Sequence, residues 1–167
     1  GTFQEIGVQA GVAFGIYGKA ESGMGVDFGD YNEDGRIDLI VTNIDQEMNN
    51  LFSNQGDNWF TDLTLSADLG QVATFYSGFG VRFLDYDNDG DLDLYVTNYV
   101  QFDLANKPKT NCDYVGGIKT YCGPLGMIGD KDVFYRNDGD GRFVDVTAIS
   151  GIGTSNDYFG LGIVPAD

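Results

Sequence analysis

The sequence predicts an all-β protein made of four-stranded antiparallel units. Short runs of β-branched and aromatic residues lie between clusters of Gly, Asn and Asp along the chain, which is the pattern of strands joined by turns. Long helical periodicity is hard to find, and the chain has 25 glycines but only 3 prolines. With 167 residues, of which 42% are apolar, the chain can bury a core and is not a disordered acidic tail.

An internal repeat is the main evidence for this architecture. GMGVDFGDYNEDGRIDLIVTN (23–43) aligns without a gap on GFGVRFLDYDNDGDLDLYVTN (78–98), at an offset of 55 residues. A second unit also recurs, because LFSNQGDNWFTDLT (51–64) matches FYRNDGDGRFVDVT (134–147). The two units alternate along the chain, so one full repeat contains both of them.

Each repeat predicts four strands in order. In the second copy, GVRFLD (80–85) alternates as a strand, an Asp-rich loop turns the chain, and LDLYVTN (92–98) returns as the second strand. DVFYRN (132–137) is the third strand, NDGDG (137–141) a hairpin turn and RFVDVTA (142–148) the fourth strand. A lone four-stranded sheet exposes two apolar faces and two open edges, which stacking around an axis covers. We therefore expect a partial β-propeller, with a linear stack of β-motifs as the alternative.

The repeats divide the chain into four parts. Residues 1–22 are the end of a preceding repeat and a linker, and residues 23–77 are the first repeat. Residues 78–159 are the second repeat, and residues 160–167 begin a third. Since both ends fall inside repeats, we expect the chain to be a window from a longer array.

An insertion at residues 99–133 distinguishes the second repeat from the first. It contains both cysteines, Cys112 and Cys122, and four of the five lysines. We expect a disulfide that closes a surface loop and implies an oxidising compartment. Free cytosolic thiols are the alternative, and a zinc site is disfavoured because the chain has no histidine and no second Cys pair. Such an insertion can form a binding face or be a stapled loop without a partner.

The charge of the chain limits its partners. The 26 acidic residues outnumber the 9 basic ones and give a formal net charge of −17. Nucleic-acid backbones and anionic membranes bind clustered Lys and Arg, so neither is an expected partner. Membrane insertion is not expected either, because no apolar run approaches the roughly 20 residues of a transmembrane helix.

Two Asp-rich loops predict metal sites. Residues 85–93 read D-x-D-x-D-G-x-x-D, and residues 30–38 read D-x-N-x-D-G-x-x-D. Ca²⁺ takes about six to eight oxygen ligands, which alternate side chains of a tight loop and the carbonyl of its seventh residue can supply. The predicted ligands are Asp85, Asp87, Asp89, Asp93 and the Asp91 carbonyl in the second loop, and Asp30, Asn32, Asp34, Asp38 and the Arg36 carbonyl in the first. Asp167 falls on the first position of a third loop, so we expect two complete calcium sites and one truncated site.

Other interpretations fit the two loops less well. Mg²⁺ requires an octahedral set of ligands at shorter distances than Ca²⁺, and transition metals prefer His or Cys ligands. An EF-hand needs an acidic residue at the twelfth position and helices on both sides, whereas the chain has Val41 and Val96 there, within strand sequences. A single D-N-D-G can be a plain hairpin turn, but two copies in register favour an ion. We expect the second loop to bind more tightly, because it has four carboxylate ligands against three.

These motifs resemble the FG-GAP/VCBS-type repeats of integrin-α-like calcium-binding β-propellers. GFG at 78–80 and GMG at 23–25 stand at the Phe-Gly signature of that family, from which Met24 departs. The Asp loop and the C…YCGP insertion are similar to those of large secreted bacterial repeat proteins. The resemblance implies a propeller of about seven or eight blades in the intact protein, with calcium as a structural ion.

We expect a non-catalytic, calcium-stabilised module, secreted or on the cell surface, that presents loops for adhesion or protein–protein interaction. Its partners would be other protein chains or cell-surface ligands, including further copies of itself. One alternative is a structural subunit that joins through its sheet edges into a filament or sheath. Another is a propeller enzyme acting on polysaccharide, which the sequence favours least because it has no histidine and its paired carboxylates lie in the ion loops.

Overall fold

A computed structural model describes residues 1–70, 76–101, 112–120, 122–124, 126–152 and 158–164. Within these residues the chain forms two four-stranded antiparallel sheets and one two-stranded hairpin, which confirms the all-β prediction. Two helices of four residues each, α1 (Gly7–Ala10) and α2 (Thr147–Ser150), accompany them. Neither helix is long and apolar enough to cross a bilayer. Asp167, the predicted ligand of the truncated loop, lies outside the described residues.

The first sheet contains four strands in chain order. They are β1 (Gly25–Gly29), β2 (Asp38–Thr42), β3 (Asn50–Gly56) and β4 (Trp59–Asp62). The first Asp loop connects β1 to β2. The two residues between β3 and β4, Asp57 and Asn58, have φ values of +50° and +60°. Asp and Asn tolerate this left-handed conformation and so permit a tight hairpin.

The second sheet repeats this plan. Its order is β5 (Gly78–Leu84), β6 (Asp93–Asn98), β9 (Val133–Asn137) and β10 (Phe143–Asp145). The four strands predicted for this repeat are therefore confirmed, but the fourth is shorter than predicted, because it ends at Asp145 and Thr147 and Ala148 lie in α2. The insertion between β6 and β9 contains the hairpin of β7 (Cys112–Asp113) and β8 (Lys119–Thr120). The predicted disulfide between Cys112 and Cys122 closes this hairpin.

The insertion leaves the strands around it in place. Asn43 and Asn98 end the aligned segments and are both buried. The Nδ2 group of each donates to the backbone carbonyl at the far end of its connection, at 2.6 Å in both repeats. These hydrogen bonds close a connection of residues 44–47 in the first repeat and of residues 99–130 in the second. The insertion therefore begins and ends at a point where both repeats form the same hydrogen bond.

The two sheets pack against each other and share one core. Ile40 and Leu51 of the first sheet belong to the same buried cluster as Leu94 and Val96 of the second. Strand β1 lies directly on β5, and a Cβ atom at Gly25 would lie 2.2 Å from the β5 carbonyl oxygen nearest to it. Glycine at this position therefore permits the close approach of the two strands. In the described part of the chain the sheets do not close into a ring.

Candidate metal centre

Three aspartates of the second loop converge. Carboxylate oxygens of Asp85, Asp87 and Asp89 lie within 4.8 Å of one another on the exposed side of the loop. Two oxygens bound to one Ca²⁺ at about 2.3–2.6 Å can be no more than roughly 5 Å apart, so this spacing fits one ion. The bend that brings the side chains together uses positive φ values at Asn88 (+60°) and Gly90 (+100°).

Asp91 adds further negative charge beside the triad. Its backbone N–H donates to the Asp89 carboxylate at 3.0 Å, which makes a tight turn. Desolvation raises the pKa of the Asp91 carboxyl, and repulsion from Asp89, Asp85 and Asp87 raises it further. This loop therefore has an unfavourable concentration of charge that a bound cation would relieve. The role of the Asp91 carbonyl as a ligand stays a prediction.

Asp93 connects the second loop to the sheet. It lies fully buried at the start of β6, and its carboxylate accepts the backbone N–H of Tyr86 at 2.8 Å and that of Asn137 at 3.0 Å. Burial raises the pKa of its carboxyl, while the two N–H donors lower it. Both oxygens already have partners, so Asp93 positions the loop on β9. Its role as a direct ligand stays a prediction.

The first loop is held by its own hydrogen bonds. The Asp30 carboxylate accepts the backbone N–H of Asp34 at 3.0 Å and that of Gly35 at 2.8 Å. The side-chain oxygen of Asn32 accepts the Asp34 N–H at 3.2 Å. Among the residues that the structure describes, the second loop alone gathers three carboxylates in one group. The predicted ligands of the first loop are neighbours, but they face backbone amides.

The residue at the seventh loop position gives the two loops different charges. Arg36 stands there in the first loop, where its guanidinium pairs with the Asp34 carboxylate and donates to the backbone carbonyl of Asn54. Four acids and one arginine give residues 30–38 a formal charge of −3, whereas five aspartates give residues 85–93 a charge of −5. The stronger field of the second loop agrees with the expectation that it binds more tightly.

Asp38 nevertheless presents an unused ligand atom in the first loop. The residue is fully buried at the start of β2, and its Oδ1 accepts the backbone N–H of Asn54 at 2.7 Å. The Tyr31 amide and the Ser53 hydroxyl lie close to this carboxyl, yet Oδ2 has no hydrogen-bond partner in the described part of the chain. Burial raises the pKa of the Asp38 carboxyl. A buried polar atom without a partner costs about 1–3 kcal/mol, which a cation at Oδ2 would offset.

The first loop also forms part of the interface between the sheets. Tyr31 is buried, its carbonyl accepts Nδ2 of Asn137 at 2.9 Å, and its ring stacks on Phe143 with 5.9 Å between centroids. Burial raises the pKa of Tyr31 to about 12. The equivalent Tyr86 of the second loop is 42% exposed. Order in the first loop therefore affects both sheets.

Sequence reasoning missed an inter-sheet contact beside these loops. The Asp27 carboxylate of β1 accepts the backbone N–H of Phe83 at 2.8 Å and pairs with Arg82 of β5 at 3.3 Å. Asp27 and Arg82 occupy the same position of the two aligned segments. A reversal of charge at one repeat position is the signal that could have found this contact, because neighbouring sheets place equivalent strands side by side.

Comparison with known proteins supports the interpretation of the motifs. A search of curated proteins found no match. A family model described as an FG-GAP-like repeat matches residues 30–96, from the first aspartate of the first loop to the middle of β6. The match therefore includes both Asp loops and the strands between them. Residues 30–96 therefore contain an FG-GAP-like repeat, as the motifs indicate.

Proposed function

We propose that this chain is a non-catalytic, calcium-stabilised repeat module of an extracellular protein, and that it presents loops to other proteins. The observation that carries the proposal is the convergence of Asp85, Asp87 and Asp89 in a strand–loop–strand hairpin inside the FG-GAP-like match. Oxygen ligands without His or Cys are the set that Ca²⁺ prefers.

Calcium, when bound, supplies a divalent charge that neutralises the clustered carboxylates. The second-loop triad would hold the ion, and Asp93 would keep the loop docked on β9 through its two N–H donors. In the first loop, Asp30, Asn32, Asp34 and Asp38 would hold it. Because Tyr31 contacts the second sheet, order in the first loop would also stabilise the interface.

Further sheets of the same kind would complete a propeller in the intact protein. In β5, Val81 and Phe83 are only 8% and 7% exposed because the first sheet lies near them. Their equivalents in β1, Val26 and Phe28, are 63% and 66% exposed. We propose that another four-stranded unit covers this face of β1, as the first sheet covers β5.

A repeated backbone contact supports the same proposal. The N–H of Gly78 donates to the carbonyl of Asn43 at 3.0 Å, where the second sheet meets the first. The N–H of Gly160 donates to the carbonyl of Asn98 at 3.1 Å, at the equivalent position one repeat later. Residues 158–164 therefore begin to dock on the second sheet in the way that the second docks on the first.

Two further points concern location and assembly. The disulfide fits a protein of an oxidising compartment, which supports an extracellular or cell-surface location. The exposed face of Val26 and Phe28 would also serve head-to-tail association of copies into a filament. Light scattering in millimolar calcium tests the filament alternative, because a chain that stays monomeric would remove it.

Thermal melting with calcium and with EGTA tests the calcium role. With Kd of about 10⁻⁴–10⁻³ M, as in extracellular modules, ~10 mM Ca²⁺ would stabilise by about 1.4–2.7 kcal/mol per site. At roughly 2–4 °C per kcal/mol for a chain of this size, the melting temperature should rise by about 3–11 °C per site. Asp87→Asn should reduce the rise, whereas Asp57→Asn in the β3–β4 turn should not. A melting temperature that chelation leaves unchanged would overturn the proposal.

A further inference from the structure

A cavity of about 860 Å³ lies at the seam between the two sheets. Its walls come from the segment before β1, the β2–β3 connection, the segment after β4, the start of β5 and the residues that follow β6. The Asp loops leave the opposite ends of these strands, so the cavity is separate from the candidate metal centre. Its volume is within the range of about 300–1,000 Å³ that is usual for small-molecule sites.

The cavity has an apolar and aromatic lining. Met48 and Val100 line it and are nearly buried, with 7% and 8% exposure. Phe79 and Tyr99 also line it, and their ring centroids are 4.7 Å apart. Aromatic rings combine a large apolar surface with a negative face that attracts cations.

Three carboxylates contribute to the same lining. They belong to Glu21, Asp45 and Glu47, and none of the three forms an ion pair among the described residues. The lining also contains one basic residue, Lys19. The Glu47 carboxylate is held in place because it accepts the backbone N–H of Ser22 at 2.9 Å. Burial raises the pKa of Glu21, and repulsion from Glu47 contributes in the same direction. The lining therefore favours positive charge.

We propose that this cavity binds a small organic cation, an ammonium or guanidinium group carried on an apolar body. The carboxylates would receive the charged group, and the aromatic pair with Met48 would cover the body. An anion would be repelled, an inorganic cation would not use the apolar walls, and a neutral ligand would leave the carboxylates without a counter-charge. This site goes beyond the proposed function and does not depend on it.

Isothermal titration of the full chain in calcium can test the site with three probes. Phenethylamine carries both features, 2-phenylethanol has the same body without charge, and methylammonium has the charge without the body. We expect phenethylamine to bind at least about fivefold more tightly than either of the others, because 2-phenylethanol lacks the charge and methylammonium lacks the apolar contact. A blocked lysine dipeptide then identifies the source of the cation. Tighter binding of this dipeptide would assign the site to a protein side chain, and tighter binding of phenethylamine to a free amine.

Two variants of the lining should change the affinity for phenethylamine in opposite directions if the cavity binds a cation. Glu47→Gln should weaken phenethylamine about tenfold, and Lys19→Met should strengthen it severalfold because a competing positive charge is removed. Asp57→Asn, at the other end of the sheet, removes the same formal charge as Glu47→Gln and should change nothing. Lys19 is exposed, so its variant is expected to fold whatever happens to the others. Equal affinity for phenethylamine and 2-phenylethanol, or no response to Glu47→Gln and Lys19→Met, would overturn the proposal.

Discussion

Replacement of Asp27 by alanine tests how the two sheets are joined. Its side chain is only 10% exposed, and its carboxylate accepts the backbone N–H of Phe83 at 2.8 Å. Strand β5 is an edge strand of its sheet, so this N–H points to Asp27 rather than to β6. The Ala variant leaves a buried N–H without an acceptor, which destabilises the fold more than the loss of an exposed ion pair.

The expected size follows from the burial of each partner. A hydrogen bond to a charged acceptor contributes about 1.5–3 kcal/mol. Arg82 is 46% exposed, so its pair with Asp27 adds about 0.5 kcal/mol or less. We expect Asp27→Ala to lower the free energy of unfolding by about 2–3 kcal/mol, and Arg82→Gln by no more than about 0.5 kcal/mol. Asp27→Asn keeps an acceptor for the N–H and should fall between them, near ~1 kcal/mol.

Urea unfolding in saturating calcium measures these differences. Fluorescence of Trp59, the single tryptophan, reports the first sheet, and circular dichroism reports both. Coincident transitions by the two probes would show that the sheets unfold together. If Asp27→Ala and Arg82→Gln cost the same, or if the Ala variant costs less than about 0.5 kcal/mol, the buried N–H argument is wrong.

Three other perturbations test separate parts of the structure. Gly25→Ala should cost about 1–3 kcal/mol in urea unfolding because its Cβ meets a β5 carbonyl, whereas Gly123→Ala, with open space around it, should be close to neutral. Burial raises the pKa of the Asp130 carboxyl, so its contribution to stability is present below the unfolded-state pKa and is lost as the pH rises through the folded-state pKa. Asp130→Asn should therefore gain stability relative to the parent chain as the pH rises, which urea midpoints at pH 4 and pH 7 measure. Reduction of the disulfide between Cys112 and Cys122 should remove amide-exchange protection in the β7–β8 hairpin and leave both four-stranded sheets protected, because the hairpin pairs with neither of them.

The sequence predicted the parts of the fold whose interactions are local. Strand β6 and the loop before it could be located because alternation, turn residues and the D-x-D-x-D-G-x-x-D pattern all lie within a few residues of each other. Comparison of the two repeats then excluded accidental patterns. The convergence of Asp85, Asp87 and Asp89 was predictable for the same reason, since the three residues lie within five positions of one tight loop.

Features that depend on contacts between repeats were not predicted. The cavity combines residues before β1 with residues after β6, and no local pattern relates them. In the described part of the chain Oδ2 of Asp38 has no hydrogen-bond partner, while its equally buried counterpart Asp93 has both oxygens satisfied. Two loops that share five of their nine residues therefore differ in their hydrogen bonds, and the shared pattern alone did not predict that difference.

Positions that differ between the repeats are thus as informative as those that are identical. Identical residues maintain the sheet of each repeat, since the buried Asn43 and Asn98 close equivalent connections of very different length. The differing pair Asp27 and Arg82 marks the contact between the two sheets, because opposite charges can meet only when the two positions are not the same residue. A sheet packed against an identical sheet would place two like charges together at this position, so the difference between Asp27 and Arg82 favours the contact that the two sheets make.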